Sequence, residues 1–285
     1  MKTTLSSLFS LSVFLLFSVA GGAVAQNGEV YRAVYRVQGS YSPLKEKDKS
    51  SYTETVLEIY SDKSFFFDRW FEIGDSVYQA SFDKTKDRFD AIQAKIAFNI
   101  EPGLSIGIKS DFSANSRETT HAVNVDLLSY TEKLIRPAWE VMQDSTAVKK
   151  GYNCIMAKAD YLGREWIVWY TPDIPSPTGP WKLWGLPGLI VEAKDSEGLF
   201  SFALSSFSAA SPETIYGDFS KYKDAWENRH TGKKQQVLES FAFFTSDPVG
   251  YFRSTIPGVK VTITDGQGNK LSAEDIRRDF IYLEK

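Results

Sequence analysis

The chain contains two candidate nucleophiles for covalent catalysis, a serine and a cysteine. The stretch GLSIG, residues 103–107, has Gly-x-Ser-x-Gly spacing, with Ser105 as the nucleophile and His121 or His230 as the candidate base. This chemistry needs a strand, a sharp turn and then a helix, so that the hydroxyl is presented to the base. The residues that follow, IKSDFSANS, are poor helix formers, which argues against a serine hydrolase.

The second candidate nucleophile is Cys154, the only cysteine of the chain. A reactive thiol needs a helix N-terminus or a basic cluster that lowers its pKa, whereas Cys154 lies in GYNCIMAKADY, a pattern typical of a strand. We therefore expect an inert, buried thiol. With one cysteine there can be no internal disulfide.

The sequence predicts no metal site and no cofactor. One cysteine and two distant histidines cannot supply a structural zinc site. No EF-hand, Walker A or dinucleotide-binding pattern occurs. Glycosidase chemistry needs only two carboxylates, and 36 acidic residues cannot exclude it, so a hydrolase with an unrecognised site is the alternative to a non-enzymatic function. Arg164 and Glu165, at a predicted turn, are more typical of a solvated turn or an ion pair than of a functional site.

Residues 1–25 have the features of a secretory signal peptide. A lysine near the start is followed by an apolar stretch and by the small residues Ala23, Val24 and Ala25 at the cleavage-site positions. Cleavage after Ala25 leaves residues 26–285, which we interpret as a single β-rich domain. No later stretch is long and apolar enough for a transmembrane segment, and a formal net charge of −3 disfavours nucleic-acid binding.

Alternation of apolar and polar residues predicts a mainly β fold. Besides VYRAVYRVQG near the start, we interpret SYTETVLEIYSD, SFFFDRW, SVYQASFD, DAIQAKIAFNI, THAVNVDLLSY and PAWEVMQ as strands. Two hairpins are expected, one with Leu162 and Gly163 at its turn and one that turns between Asp195 and Gly198.

Helical spacing is scarce and lies late in the chain. DFSKYKDAWEN and LSAEDIRRDF are predicted helices, the second with a capping box from Ser272 to Asp275, while VLESFAFF fits a helix or a strand. The predicted fold is a curved antiparallel sheet, as a partial barrel or sandwich, with a few helices mostly in the C-terminal part.

Residues 172–188, which we call the proline–tryptophan loop, cannot be a helix or a central strand. Five prolines remove backbone donors and three glycines permit turns, while exposed tryptophan and leucine side chains would be costly in water. We expect an ordered loop on apolar surface that leads into a strand at Leu189. It either closes one end of the core or forms the lip of a ligand groove or partner site. In the second case the contact residues would be Trp181, Trp184 and Leu186, with the loop shaped by Gly185, Pro187 and Gly188.

The string GLPGLI, residues 185–190, resembles the signature after which the GLPGLI family is named, and the similarity extends over the block from Gly151 to Asp195. The matching positions are Cys154 and Ala157, Gly163 and Arg164, Trp169 to Thr171, Ile174 and Pro175, and Gly179 and Pro180. The family is exported, is found mainly in Bacteroidota, and has no established activity or catalytic residues. Its members are often encoded near TonB-dependent outer-membrane transporters.

The resemblance implies an exported, non-enzymatic envelope protein in the periplasm or at the outer membrane. Its partner would be an apolar small molecule or an outer-membrane transporter to which it is an accessory. The clustering of tryptophans between residues 139 and 184 fits a cavity for an apolar ligand or simply a bulky core. A purely structural role, with the loop as a docking surface, is the third interpretation.

Overall fold

The computed structural model describes residues 28–39, 52–98, 104–123, 126–217 and 228–255, with 258, 262, 268–270 and 282–284 further along the chain. The strands within these residues are β1 (Tyr31–Gly39), β2 (Thr53–Ile59), β3 (Lys63–Asp68), β4 (Ile106–Asp111), β5 (Ser116–Val123), β6 (Asp126–Lys133), β7 (Glu140–Lys149), β8 (Tyr152–Tyr161), β9 (Arg164–Thr171), β10 (Leu189–Asp195), β11 (Phe200–Ala209) and β12 (Asn228–Thr231). The helices are α1 (Arg69–Thr85), α2 (Arg88–Ala97), α3 (Lys234–Ser246) and α4 (Pro248–Thr255).

All the described strands belong to one sheet, in the order β12-β6-β5-β4-β3-β2-β1-β11-β10-β9-β8-β7. Neighbouring strands are antiparallel except β12 and β6, which are parallel. The sheet is therefore mixed, and it is open because β12 and β7 form its two edges. The prediction of a mainly β fold with a few helices is confirmed, and two of the four described helices lie in the C-terminal part.

Three consecutive phenylalanines in β3 show that both faces of the sheet are covered. Successive side chains of a strand point to opposite faces. Phe66 accordingly belongs to a large core cluster that includes Trp166 of β9, whereas Phe65 and Phe67 pack with Phe71 of α1 on the other face. A strand that is buried on both faces needs apolar residues at every position, which explains the continuous run.

The prediction that SVYQASFD and DAIQAKIAFNI are strands is wrong, because these segments lie in α1 and α2. Buried residues of α1 recur with helical spacing at Phe71, Gly74, Asp75 and Tyr78, a period that becomes visible only when the preceding RWFEIGD is included. The short alternating apolar pattern within SVYQASFD suggested a strand, but the whole segment buries one helical face against the sheet.

Aspartates begin both of these helices. Asp68 accepts hydrogen bonds from the backbone N–H of Trp70 at the start of α1 and, at 2.7 Å, from that of Leu104 just before β4. Asp87 accepts from the N–H groups of Phe89 and Asp90 at the start of α2. Such side chains satisfy donors that the first helical turn leaves unpaired. Asp68 in addition fixes the segment that leads into β4.

Both predicted hairpins are confirmed. Leu162 and Gly163, with φ of 51° and 81°, form the two-residue turn between β8 and β9, as the twist of a hairpin requires. The second hairpin joins β10 to β11 through the turn at Asp195 to Gly198. VLESFAFF, which fitted either structure, is helical within α3.

The proline–tryptophan loop is ordered by its own backbone hydrogen bonds, as expected of a loop that packs on apolar surface. The N–H of Gly185 donates to the carbonyl of Pro177 at 2.8 Å, and that of Ile190 donates to the carbonyl of Thr178 at 3.1 Å. The side chains of its Trp181, Leu183 and Leu186 are buried in the same cluster as Trp166, and β10 starts at Leu189 as predicted.

Three further expectations fall partly or wholly on residues outside those described. The leader of residues 1–25 and the helix at LSAEDIRRDF lie outside them entirely, and of DFSKYKDAWEN only the last residue is described, at the start of β12. The expectation of a single domain over residues 26–285 stays a prediction. No helix in the described ranges has the length and apolar character needed to cross a membrane.

Candidate functional site

A cavity of about 600 Å³ lies between the sheet, α3 and residues 282–284. The sheet contributes one side chain from each of three adjacent strands, Ile106 of β4, His121 of β5 and Tyr130 of β6. A volume of this size falls in the range of sites that bind small molecules.

The wall of the cavity is mainly apolar. Phe241, Leu238 and Ala242 of α3 face the sheet across it, and Leu283 closes one side. The spacing of 238, 241 and 242 in the chain puts these three residues on one face of the helix. An apolar wall favours a ligand that removes apolar surface from water.

Trp181 joins the proline–tryptophan loop to the cavity. Its side chain is 3% exposed and lines the cavity, while its ring packs against Trp166 at 5.4 Å and the edge of Tyr161 at 6.1 Å between centroids. The backbone of Trp181 has φ of 56°, a left-handed conformation that is unusual for a bulky residue. The bonds of the loop hold this conformation, which turns the tryptophan inward.

A network of four charged groups and a tyrosine forms one end of the cavity. The ammonium group of Lys182, on a side chain 1% exposed, donates to Glu132 at 2.5 Å, to Glu284 at 2.7 Å and to the hydroxyl of Tyr130 at 3.0 Å. Lys234 of α3 contacts the same two carboxylates, at 2.7 and 3.3 Å. Two positive and two negative charges therefore neutralise each other in a partly buried network, in which the side chain of Lys182 is 1% exposed and that of Lys234 is 38% exposed. Pairing offsets the cost of removing these charges from water.

The network sets the ionisation of its members. Burial by itself would raise the pKa of the Glu132 carboxyl, but the ammonium groups of Lys182 and Lys234 outweigh burial and lower it. Burial, together with the charges of Glu284 and Glu132, raises the pKa of the Tyr130 hydroxyl. At neutral pH the carboxyl group of Glu132 is therefore charged and the hydroxyl of Tyr130 is not.

His121 differs from this network because neither of its ring nitrogens has a hydrogen-bond partner among the described residues. The side chain is 6% exposed, and its ring lies 4.3 Å from that of Phe241 and 6.3 Å from that of Tyr130. Burial, with a smaller effect of the charge on Lys182, lowers the pKa of His121 to about 3. The imidazole is therefore neutral at physiological pH, with one N–H donor and one acceptor nitrogen beside the cavity.

Arg164 holds the C-terminal side of the cavity in place. Its guanidinium group is buried, pairs with Asp195 at 2.8 Å and Glu197 at 3.1 Å, and donates to the carbonyls of Tyr282 and Leu283 at 2.6 and 3.0 Å. An ion pair was one interpretation of Arg164 and Glu165 at this turn, but the partners of Arg164 are Asp195 and Glu197 and its side chain is buried, whereas Glu165 is exposed. Through the two carbonyls Arg164 fixes residues that line the cavity.

Of the contact and loop-shaping residues predicted from sequence, Trp181 alone is among those that line the cavity. Trp184 is half-buried beside it, donating its ring N–H to the carbonyl of Ile135 at 3.0 Å and accepting from Trp139 at 2.8 Å through its own carbonyl. Leu186 is buried in the core cluster with Trp181.

The other predicted positions shape the loop. Gly185 has φ of 95°, and its carbonyl accepts a hydrogen bond from Arg136. A Cβ on Gly188 would lie 2.1 Å from the carbonyl oxygen of Thr171, so a side chain cannot fit there. Pro187 is exposed. These positions explain why the loop needs glycine, and they leave its role as a partner surface a prediction.

Neither nucleophile considered from sequence has the surroundings that its chemistry requires. Ser105 has φ of 49° but leads directly into β4, where a nucleophilic serine needs a helix. Cys154 is buried as predicted, and burial raises the pKa of its thiol to about 11, which disfavours the reactive thiolate.

The polar end of the cavity was not predicted from the sequence. Glu132 and Glu284 are far from Lys182 in the chain, so no local spacing connects them. His121 was considered only as a base for Ser105. The one available signal was Lys182 itself, a charged residue within the apolar stretch PWKLW, because a lysine in such a stretch needs a partner if it is buried.

Comparison with known protein families gives a match, over residues 162–192, to a family described as "Protein of unknown function (Porph_ging)". The matched residues run from the β8–β9 turn through the proline–tryptophan loop into β10. Over this short stretch the chain thus resembles an uncharacterised family. Among curated proteins, none matches the sequence significantly.

Similarity to solved structures is distant. Two structures of PNGF-II, in P21 and C2 space groups, are each similar at a TM-score of 0.48 and 14% identity, over 74% of this chain and 32% of theirs. The complex of MucB with MucA(peri) is similar at a TM-score of 0.28 and 6% identity, over 73% of this chain and 53% of that one. This chain spans about a third of the length of the PNGF-II chains, and these similarities carry no functional argument.

Proposed function

We propose that the protein is an exported, non-enzymatic binding protein of the bacterial envelope that holds a small, largely apolar ligand. The observation that carries the proposal is the cavity of about 600 Å³, with its apolar wall and its polar end. Protein interiors are otherwise packed closely, so a space of this size is typical of a ligand site rather than of a core.

The arrangement of the wall supports reversible binding. Three sides come from strands of the sheet, from Trp181 of the loop and from residues 282–284, whereas the fourth is α3. Lys234, Gln235 and Glu239 of α3 line the cavity with side chains that also reach solvent, so this helix forms the entrance. Burial of about 200 Å² of apolar surface on a ligand contributes about 5 kcal/mol before the costs of binding are subtracted. Since about 5 kcal/mol corresponds to a dissociation constant of about 0.2 mM, we expect weak, reversible binding in the sub-millimolar range or weaker.

The direct test is fluorescence titration with N-phenyl-1-naphthylamine, an uncharged apolar probe. We expect saturable binding at one site. Ala242→Trp, which places a large side chain in the cavity, should weaken binding by about tenfold or more, because the ring takes the space of the probe. Gln236→Trp is the matched control, since Gln236 lies on the same helix, is exposed and does not line the cavity. Absence of saturable binding, or an equal effect of both variants, would contradict the proposal.

Export and family membership are part of the same proposal and have different support. The leader-like pattern of residues 1–25 supports export. The GLPGLI string, together with the surrounding block that contains the matched residues 162–192, supports membership of the GLPGLI family. N-terminal sequencing of the protein from its native envelope should start at Gln26, and an N-terminus at Met1 would contradict export.

We further propose that the ligand links the protein to an outer-membrane transporter of the TonB-dependent type, as an accessory that holds the ligand. The support is the family resemblance alone. Native mass spectrometry of the gently extracted protein should detect a retained apolar mass, and crosslinking in the envelope should recover a transporter subunit. Recovery of a transporter subunit together with a protein that holds no ligand would favour a docking role over a role in carrying a ligand.

A further inference from the structure

The buried imidazole of His121 indicates which polar group a ligand should carry. Its side chain lines the cavity from β5 and contacts the rings of Tyr130 and Phe241, and its two buried nitrogens are not bonded by any described residue. A buried polar group without a partner costs about 1–3 kcal/mol. A ligand that bonds one of the nitrogens recovers part of this cost, and a purely apolar ligand recovers none.

The lysines at the polar end of the cavity do not make an anion site. An ammonium group has three donors, and Lys182 directs its three to Glu132, Glu284 and Tyr130. Lys234 contacts the same two carboxylates. A ligand carboxylate would have to displace one of these glutamates and leave it buried without its partner.

The remaining charged group of the wall also disfavours an anion. Glu239 of α3 lines the cavity on its exposed side and makes no described ion pair with the network. The two lysines are balanced by Glu132 and Glu284, so Glu239 makes the total charge around the cavity negative. A neutral head group meets no such repulsion.

We propose, as a refinement that rests on the binding function proposed above, that the cavity selects apolar molecules with one uncharged hydroxyl, which bonds to His121. The two nitrogens of an imidazole point to different sides of the ring, so one hydroxyl bonds one of them, and it can donate to the acceptor nitrogen. A carboxylate cannot donate to that nitrogen, and it brings a negative charge into an apolar cavity whose lysines are already paired. Long-chain alcohols and hydroxylated ring systems fit this description, and free fatty acids do not.

The test compares decan-1-ol with decanoate as competitors of N-phenyl-1-naphthylamine at pH 7.5. The two share their chain and differ in the head group. We expect decan-1-ol to displace the probe at a concentration about tenfold lower, the ratio that recovery of one unsatisfied polar group produces. Equal potency, or tighter binding of decanoate, would overturn the inference while probe binding would still support the proposed function. A protein that does not bind the probe would contradict both.

Variants of His121 test whether this residue determines which head group the cavity prefers. His121→Phe keeps an aromatic ring but cannot hydrogen-bond. The ratio between the displacing concentrations of decanoate and decan-1-ol should therefore fall to about one, even if both ligands bind more weakly. His121→Gln keeps one acceptor and a donor and should retain most of the preference. A preference that persists in His121→Phe would overturn the assignment.

A measurement on the unmodified protein removes the dependence on folding of the variants. The chain has two histidines, His121 and His230, so ¹⁵N-histidine labelling gives two sets of ring signals, which the His230→Gln variant assigns. Addition of decan-1-ol should move the acceptor nitrogen of His121 upfield, as a new hydrogen bond does, and leave His230 unchanged. Displacement of the probe by the alcohol without a shift at His121 would overturn the inference.

Discussion

The two sides of Trp181 differ in how their polar groups are satisfied. On the core side, the proline–tryptophan loop bonds its backbone internally and the guanidinium group of Arg164 has partners in two carboxylates and two carbonyls. On the cavity side, the apolar wall includes His121, whose ring nitrogens no described residue bonds. Arg164 and His121 are buried to a similar degree, at 4% and 6% exposed, so burial alone does not distinguish them.

The difference separates residues that serve stability from residues that can serve binding. A buried group with all its bonds made contributes to one folded state, and its removal leaves other groups unpaired. A buried group whose bonds are not made by the protein is a cost in the free protein that a ligand can reverse.

The largest effect should follow removal of Arg164. Arg164→Ala leaves Asp195 buried without its charge partner and two carbonyls without a donor, and we expect the free energy of unfolding to fall by about 3–5 kcal/mol. Urea unfolding measures it. Glu165→Ala, at the exposed neighbouring position, should change stability by less than about 0.5 kcal/mol. A small loss in Arg164→Ala would show that the C-terminal residues are not held by this group.

The next largest effect should come from Gly188. A Cβ at this position would overlap the backbone of Thr171, which cannot move without disturbing β9, so Gly188→Ala should cost about 3 kcal/mol. The control is Gly232→Ala, whose Cβ would make an ordinary contact at 3.5 Å with Val237. Similar midpoints of thermal unfolding for the two variants would contradict a tightly constrained loop.

His121 should make stability depend on pH with a defined sign. Its pKa is about 3 in the folded protein and about 6.5 when unfolded, so between these values the unfolded state binds the additional proton. Stability is therefore fully present above about pH 7 and falls as the pH is lowered, by about 2 kcal/mol at pH 5.

The control for this pH effect is His121→Gln, which removes the titrating group. The difference in unfolding free energy between the two proteins, measured by urea titration from pH 8 to pH 5, isolates the contribution of His121 from that of the carboxylates. Parallel pH profiles would contradict a buried neutral imidazole.

The smallest effect should come from Trp184. Trp184→Phe removes the ring N–H that bonds Ile135 and should cost up to about 1 kcal/mol, with no change in probe affinity because Trp184 does not line the cavity. Trp181→Phe, the matched change at a residue that lines it, should alter probe affinity. A large loss of probe binding in Trp184→Phe would restore Trp184 as a ligand contact, as its sequence context suggests.

Local patterns in the sequence predicted several features of the fold correctly, including the hairpin turn at Leu162 and Gly163 and the strand that begins at Leu189. The turn needs two residues with positive φ, and the break into β10 follows from prolines that cannot donate in a sheet. The helical period of α1 was present but divided between two segments, and Asp68 at its N-cap resembles any polar residue at a strand end.

The sequence by itself determined the mainly β character, the burial of Cys154 and the ordered loop, since alternation, apolar surroundings and proline content act on neighbouring residues. Only the tertiary structure decided that Trp181 faces a cavity while Trp184 does not, and that His121, Lys182 and Glu284 meet at it. Residues from β5, the loop and the C-terminal end come together through the order of strands in the sheet and the packing of α3. These contacts join positions far apart in the chain, so no local spacing records them.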